Sequence, residues 1–133
     1  MDIERFRSFC FALPEVEETL PFDDETLVYK VAGRMFAVIG IDDPSGCVVK
    51  CDPDRAVVLR DRYEAIDTAW HFNKKHWNNI RFGDDFTDRQ VEQEVRHSYL
   101  LVARQNVTPK ARREALLAQI AAEGILDDSE SCE

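Results

Sequence analysis

The chain has 133 residues, of which 44% are hydrophobic and 32% are charged, and this fits one domain with a buried core and excludes disorder throughout. The formal net charge of −9 excludes a positive field over the whole molecule that would steer it to DNA. Residues 29–82 nevertheless sum to +2, whereas residues 1–28 sum to −6 and residues 83–133 to −5, so a site for a polyanion is expected in the middle third.

The first half of the chain predicts one helix and three strands. Apolar residues recur at helical spacing after Asp2, which can cap the helix, and Pro14 ends it. Short alternating runs separated by the turn sequences AGR and DDPSG are typical of strands. The predicted elements are a helix over 2–13, an acidic connection without a strong period over 15–25, and strands over 26–32, 34–41 and 47–51.

The second half predicts three helices around a second hairpin. Asp52 followed by Pro53 is a helix start, and Thr87 with Gln90 forms a capping-box sequence. Thr108-Pro109 repeats the cap-plus-proline start. The predicted elements are a helix from Pro53, strands over 66–72 and 77–82 joined by an NKKH turn, a long helix from Thr87, and a last helix from Thr108-Pro109 to Gly124.

The order of these elements, α-β-β-β-α-β-β-α-α, predicts the fold class. Consecutive hairpins favour a mainly antiparallel sheet of five strands, with the helices packed on one face and the other face partly open. We therefore expect a two-layer α+β domain over residues 1–124. Residues 125–133 are expected to form an acidic, disordered tail.

Localisation and cysteine use point to an intracellular protein. No apolar stretch approaches the ~20 residues that a membrane span needs, and the N-terminus lacks signal-peptide features. We therefore expect a cytoplasmic monomer that does not contact membranes. Cys47 and Cys51 form a C-x3-C pair without the second pair that a zinc site needs, so they and Cys10 are expected to be buried, inert thiols. Cys132 lies in the acidic tail.

Four segments occur together in a recognisable order and spacing: PFDDETLVYKVAGRMFAVIG, VVKCDP, HFNKKHWNNI and the helix with HSYLLVA. The combination resembles the MmcQ/YjbR family of small bacterial proteins, from about residue 3 to residue 120. The resemblance implies a CyaY-like α+β sandwich, which is also described as a double-wing DNA-binding arrangement. Members of this family are commonly labelled DNA-binding proteins, so the resemblance also implies DNA binding.

The segment 71–79 is the strongest candidate for a binding site. It contains two lysines, two histidines, two aromatic residues and three amides within nine residues. Lysines contact phosphates and aromatic rings stack on bases, so an exposed tip of this composition suits nucleic acid. The alternative is a solvated turn with Phe72 and Trp77 packed beneath it. The candidate nucleic-acid-binding residues are Lys30, Arg34, Lys50, His71, Asn73, Lys74, Lys75, His76, Trp77 and Arg81.

A second candidate is acidic. Six carboxylates fall within eleven residues, and carboxylate oxygens attract hard cations such as Mg²⁺, Ca²⁺ or Fe²⁺. Frataxin-like proteins carry an acidic ridge in a similar place. The alternative is a solvated charged loop, because no D-x-D-x-D-G loop is present. The six residues are Glu15, Glu17, Glu18, Asp23, Asp24 and Glu25.

The sequence offers no complete catalytic set. Cys51 precedes a helix whose N-terminus would lower its pKa, and it could pair with His71 or His76. No Walker A, G-x-G-x-x-G or H-E-x-x-H sequence is present, and we assign no catalytic residue, metal ligand or cofactor. The leading interpretation is a non-enzymatic binding protein that contacts DNA, or another phosphate-bearing ligand, through its hairpin tips. The alternatives are a protein-interaction module and a metal binder using residues 15–25.

Overall fold

A computed structural model describes residues 1–125, so the predicted tail lies outside the described residues except for its first residue. None of the helices in this range is long and apolar enough to cross a bilayer. The elements are α1 (Ile3–Phe11), β1 (Val16–Thr19), β2 (Thr26–Val31), β3 (Arg34–Gly40), β4 (Gly46–Lys50), α2 (Pro53–Arg62), β5 (Ile66–Thr68), β6 (Trp77–Arg81), α3 (Asp88–Gln105) and α4 (Lys110–Ala122).

The strands form one antiparallel sheet in the order β1-β2-β3-β4-β6-β5, which confirms the α+β class. The predicted number of five strands is wrong, because β1 forms within the acidic connection and pairs with β2 at the edge of the sheet. Val16 is the only apolar residue of β1, so no alternation signals it. Pairing holds this strand in place: Glu18 lies opposite Tyr29, and the Thr19 hydroxyl donates to the carbonyl of Val28 at 3.0 Å.

One face of the sheet carries the helices. Residues of all four helices share a single hydrophobic core with one face of the strands, as predicted. The strand residues of this core alternate except at Phe36 and Ala37, where the register between β2 and β3 shifts. The residues between them, such as Val28, Val38 and Val48, face the other side, which we call the open face. The strand residues in the core are Leu27, Tyr29 and Val31 of β2, Phe36, Ala37 and Ile39 of β3, Cys47 and Val49 of β4, Ile66 of β5 and Ile80 of β6.

Local capping fixes where most helices begin. The Asp2 carboxylate accepts from the backbone N–H of Arg5, and Thr87 with Gln90 forms the predicted capping box. The predicted start of the last helix is wrong by one residue. The helix begins at Lys110, so Pro109 occupies the N-cap position, where it has no side-chain oxygen to accept a hydrogen bond.

The predicted strand over 66–72 is shorter in the structure. Only Ile66–Thr68 pairs with β6, and residues 69–76 form a longer loop, which we call the β5–β6 loop. His71 has φ of +70°, a left-handed conformation that an extended strand does not tolerate. The NKKH turn is present, with the backbone N–H groups of His76 and Trp77 donating to the carbonyl of Asn73 at 3.1 and 3.0 Å.

Candidate nucleic-acid interface

The open face of the sheet carries a cleft of about 600 Å³, which we call the open-face cleft. The β1–β2 loop (residues 20–25) and the β5–β6 loop form its two walls, and β2 and β3 form its floor. The chain thus brings together two loops that are some fifty residues apart in sequence. The lining residues are Phe22, Asp23, Thr26, Met35, Val38, Trp70, His71, Phe72 and Asn73.

Aromatic side chains at this cleft are unusually exposed. Trp70 is 81% exposed and Phe22 is 64% exposed, although their apolar surface would be more stable if buried. In an extended strand Trp70 and Phe72 would face the same side. The backbone of His71 is left-handed, at a cost on the order of 1 kcal/mol, so the segment is not an extended strand. Phe72 also lines the cleft but packs on Trp77, with 5.2 Å between ring centroids, while Trp70 stays in solvent.

The tip of the β5–β6 loop presents two exposed lysines on a fixed backbone. The carbonyl of Lys74 accepts from the Arg60 guanidinium at 3.1 Å, and the backbone N–H of Lys75 donates to the Asn73 side chain at 2.9 Å. Arg60 also donates to the buried Asn78 amide at 2.7 Å, which ties the loop to α2. Within residues 1–125, no carboxylate lies within ion-pair distance of either lysine side chain. Both ammonium groups can therefore contact an external anion.

The other predicted cations lie mostly at the same end of the sheet. Lys30 and Arg34 flank the β2–β3 turn, and Lys50 ends β4 opposite Trp77. The antiparallel register places all of them at the end from which the β5–β6 loop emerges. Lys30 also lies opposite Glu17, whose charge partly compensates it. Among residues 1–125, the Arg34 guanidinium donates only to the Thr108 hydroxyl, at 3.4 Å.

Lys50 is less available than the tip lysines. Its Nζ donates to the Asn106 side chain at 2.9 Å, and burial lowers the pKa of its ammonium group. It lines a second cavity of about 470 Å³ together with His76, Trp77 and Asn73. Asn73 borders both cavities, so the tip of the β5–β6 loop separates the two.

Arg81 lies at the opposite end of the sheet from the other predicted cations. It pairs with Gly46 at the start of β4, and its guanidinium lies 3.3 Å from the Asp67 carboxylate and 3.0 Å from that of Asp84. Its charge is therefore compensated locally.

The acidic segment is divided by the fold. Glu18 faces α1, where Arg7 lies 2.7 Å away and the Tyr29 hydroxyl donates at 2.6 Å. Burial raises the pKa of Glu18, but these two hydrogen bonds outweigh it and lower the pKa overall. Asp23 instead accepts from the backbone of Glu25 in the β1–β2 loop. In residues 1–125 no group of three His, Cys, Asp or Glu side chains is placed to hold a metal ion.

The cysteine–histidine hypothesis finds no support in the geometry. Burial raises the pKa of the Cys51 thiol, which is opposite to the lowering expected from the helix N-terminus. Burial also raises the pKa values of Cys10 and Cys47. The Cys51 thiol lies 4.0 Å from the Glu94 carboxylate, on the core side of the sheet, whereas His71 lines the open-face cleft. The three thiols are buried, as predicted.

The sequence predicted neither the buried ion pair of Glu94 nor the aromatic walls of the cleft. Glu94 is 1% exposed and forms an ion pair with Arg55, while His97 accepts the backbone N–H of Asp52 at 3.3 Å. The sequence contained a signal for the burial of Glu94, because this residue shares the helical spacing of the apolar face of α3. Phe22 and Trp70 were also missed, and only the distant pairing of β1 places them in one cleft.

Comparison with protein-family models identifies one family. The sequence model of the YjbR family matches residues 11–101. The uncharacterised protein YbdF of Escherichia coli O157:H7 is 27% identical over 100 residues, which cover 74% of this chain and 82% of YbdF.

Two crystal structures share the fold. Protein DR2400 of Deinococcus radiodurans, which contains a DUF419 domain, has a TM-score of 0.81 and 36% identity, over 95% of this chain and 90% of that one. A Pseudomonas syringae protein has a TM-score of 0.64 and 18% identity, over 76% of this chain and 98% of that one, and shows the fold alone. The CyaY-like comparison stays a prediction. The family match and the DR2400 likeness confirm the resemblance of the sequence, and the chain belongs to the YjbR family.

Proposed function

We propose that this protein is a non-enzymatic binding protein that contacts the phosphates of a nucleic acid with the tip of its β5–β6 loop. The observation that carries the proposal is the pair of exposed, uncompensated ammonium groups of Lys74 and Lys75 in a molecule of net charge −9. Elsewhere many cations, such as Arg7 and Arg81, are ion-paired within the fold.

The arrangement suits phosphate contacts in two ways. The backbone of the tip is held by Arg60 and Asn73, so the loop loses little conformational freedom on binding. Arg34 lies at the same end of the sheet and adds a guanidinium that can bind a phosphate in bidentate fashion. Contact at one end also keeps much of the acidic molecule away from the polyanion, and salt screens the remainder over about 8 Å.

The test is a binding titration followed by fluorescence anisotropy. The probes are a labelled 20-nucleotide single strand and the corresponding duplex, each at 50 and 200 mM NaCl. We expect affinity to fall steeply with salt. The double variant Lys74→Glu/Lys75→Glu should bind far more weakly, and its salt slope should be smaller by about two, one for each phosphate contact removed.

A matched double variant controls for net charge. Arg62→Glu/Arg89→Glu changes the charge by the same amount with exposed residues at the other end of the molecule, and it should retain most of the affinity. The proposal is wrong if the wild-type protein binds neither probe at 50 mM NaCl. It is also wrong if the two double variants lose the same affinity, since binding would then report net charge alone.

A further inference from the structure

We propose that the nucleic acid is single-stranded and that one of its bases enters the open-face cleft and stacks on Trp70. This inference rests on the proposed function, because the phosphate contacts of Lys74 and Lys75 bring the strand to the cleft. It adds a second site on the same ligand and specifies its class. In a duplex the bases are stacked and paired, so they cannot enter a cleft without being extruded.

The cleft has the size and surface that a base requires. Its volume of about 600 Å³ lies within the range of about 300–1,000 Å³ for small-ligand sites, and Val38 and Met35 give it an apolar floor. Trp70, 81% exposed, and Phe22, 64% exposed, place one aromatic ring on each of the two walls. Because every base has a π-face, such rings bind single strands with little sequence preference.

The backbone of the loop also indicates a site rather than a chance exposure. The left-handed conformation of His71 separates Trp70 from Phe72, which packs inward on Trp77. The His71 ring lies 5.3 Å from the Trp70 ring in an edge-on contact that supports the exposed indole. The indole thus has a local ring contact and leaves most of its surface open to a ligand.

Base and phosphate contacts come from consecutive residues. Asn73 lines the cleft and is followed directly by Lys74 and Lys75. Successive Cα atoms are about 3.8 Å apart, so both ammonium groups can reach the mouth of the cleft on their long side chains. An apolar peptide would leave these cations without partners, whereas a nucleotide supplies a ring for the cleft and a phosphate for its rim. Charge complementarity therefore favours a single strand over an apolar protein segment.

The experiment compares single-stranded and duplex probes with variants of the cleft. The probes are labelled oligothymidylate of 20 nucleotides and a 20-base-pair duplex, at 50 mM NaCl. Trp70→Ala should weaken binding of the single strand by roughly 5- to 150-fold, as expected for the loss of one base–aromatic stack. Trp70→Phe should restore much of this loss. Val58→Ala, which removes an exposed apolar side chain of α2 outside the cleft, serves as the control.

The outcomes separate this inference from the proposed function. If Lys74→Glu/Lys75→Glu abolishes binding while Trp70→Ala leaves single-strand affinity unchanged, the phosphate contact stands and the base site is refuted. Equal losses for the single strand and the duplex on Trp70→Ala would also refute it. If neither probe binds the wild-type protein, both proposals fail. Because Trp70 is exposed, its variants are expected to fold, and unchanged thermal unfolding verifies this.

Discussion

Replacing Ser98 by alanine tests how α3 is joined to the sheet. The Ser98 hydroxyl, fully buried, donates to the carbonyl of Phe36 at 2.6 Å and accepts the backbone N–H of Lys50 at 2.9 Å. The paired ladder of β3 and β4 stops at Ala37 and Val49, so the hydroxyl takes the place of the next strand-to-strand hydrogen bond. Removing it leaves both backbone groups without their partner.

The cost follows from the burial of those two groups. A buried polar group without a partner costs about 1–3 kcal/mol, and Phe36 is fully buried whereas Lys50 is only partly so. We therefore expect Ser98→Ala to lower the free energy of unfolding by about 2–3 kcal/mol, a large share of the 5–15 kcal/mol typical of a domain. Urea denaturation measures this as a lower midpoint with an unchanged m-value. Ser8→Ala, at an exposed position of α1, is the control. A loss below about 0.5 kcal/mol would refute the bridging role.

Three further substitutions test other contacts. Gly46→Ala would place a Cβ 2.5 Å from the backbone carbonyl oxygen of Ile80 in β6. It should therefore lower the free energy of unfolding by about 1–3 kcal/mol, which thermal unfolding measures as a lower Tm. Arg55→Ala leaves the buried carboxylate of Glu94 without its ion pair and should lower the free energy of unfolding by about 3–5 kcal/mol. Adding Glu94→Gln should recover a large part of this loss. The Asp42 charge raises the pKa of Glu25 above its ordinary value, so stability should fall as pH rises from the ordinary pKa of a glutamate through the raised one. Asp42→Asn should flatten this slope and raise Tm at pH 7.

Most of the helices and hairpins could be predicted because their signals are local. Asp52 followed by Pro53 defines the start of α2 within two residues, and Thr87 with Gln90 does the same for α3. The alternation in TLVYKV predicts β2 because each side chain already shows which face it occupies. Such features depend on neighbours in sequence and need no knowledge of the rest of the fold.

The remaining features depend on contacts between distant residues. β1 contains two adjacent glutamates, and it becomes a strand because Glu18 meets Arg7 and Tyr29. The strand pattern around Trp70 fails because His71 adopts a left-handed backbone, which no local rule requires of a histidine. Whether a cation has an acidic partner within the fold also depends on residues that are distant in sequence.

The candidate cations illustrate the same limit. Sequence places Lys74 and Arg81 seven residues apart with no way to distinguish them. The strand between them carries Arg81 to the opposite end of the sheet, where Asp67 and Asp84 compensate its charge. Lys74 stays at the loop tip. Charge counting alone therefore predicts which third of the chain is positive but not which ammonium groups face an external ligand.

The open-face cleft depends on the strand that the sequence hides. Phe22 forms one wall only because β1 pairs with β2 and directs the following loop across the open face. That pairing is supported from the opposite face by the ion pair of Glu18 with Arg7 on α1. Helix α1 and the cleft are thus connected through a four-residue edge strand. Weakening the ion pair should reduce binding by displacing Phe22 while leaving the Trp70 wall, which belongs to a different edge of the sheet, in place.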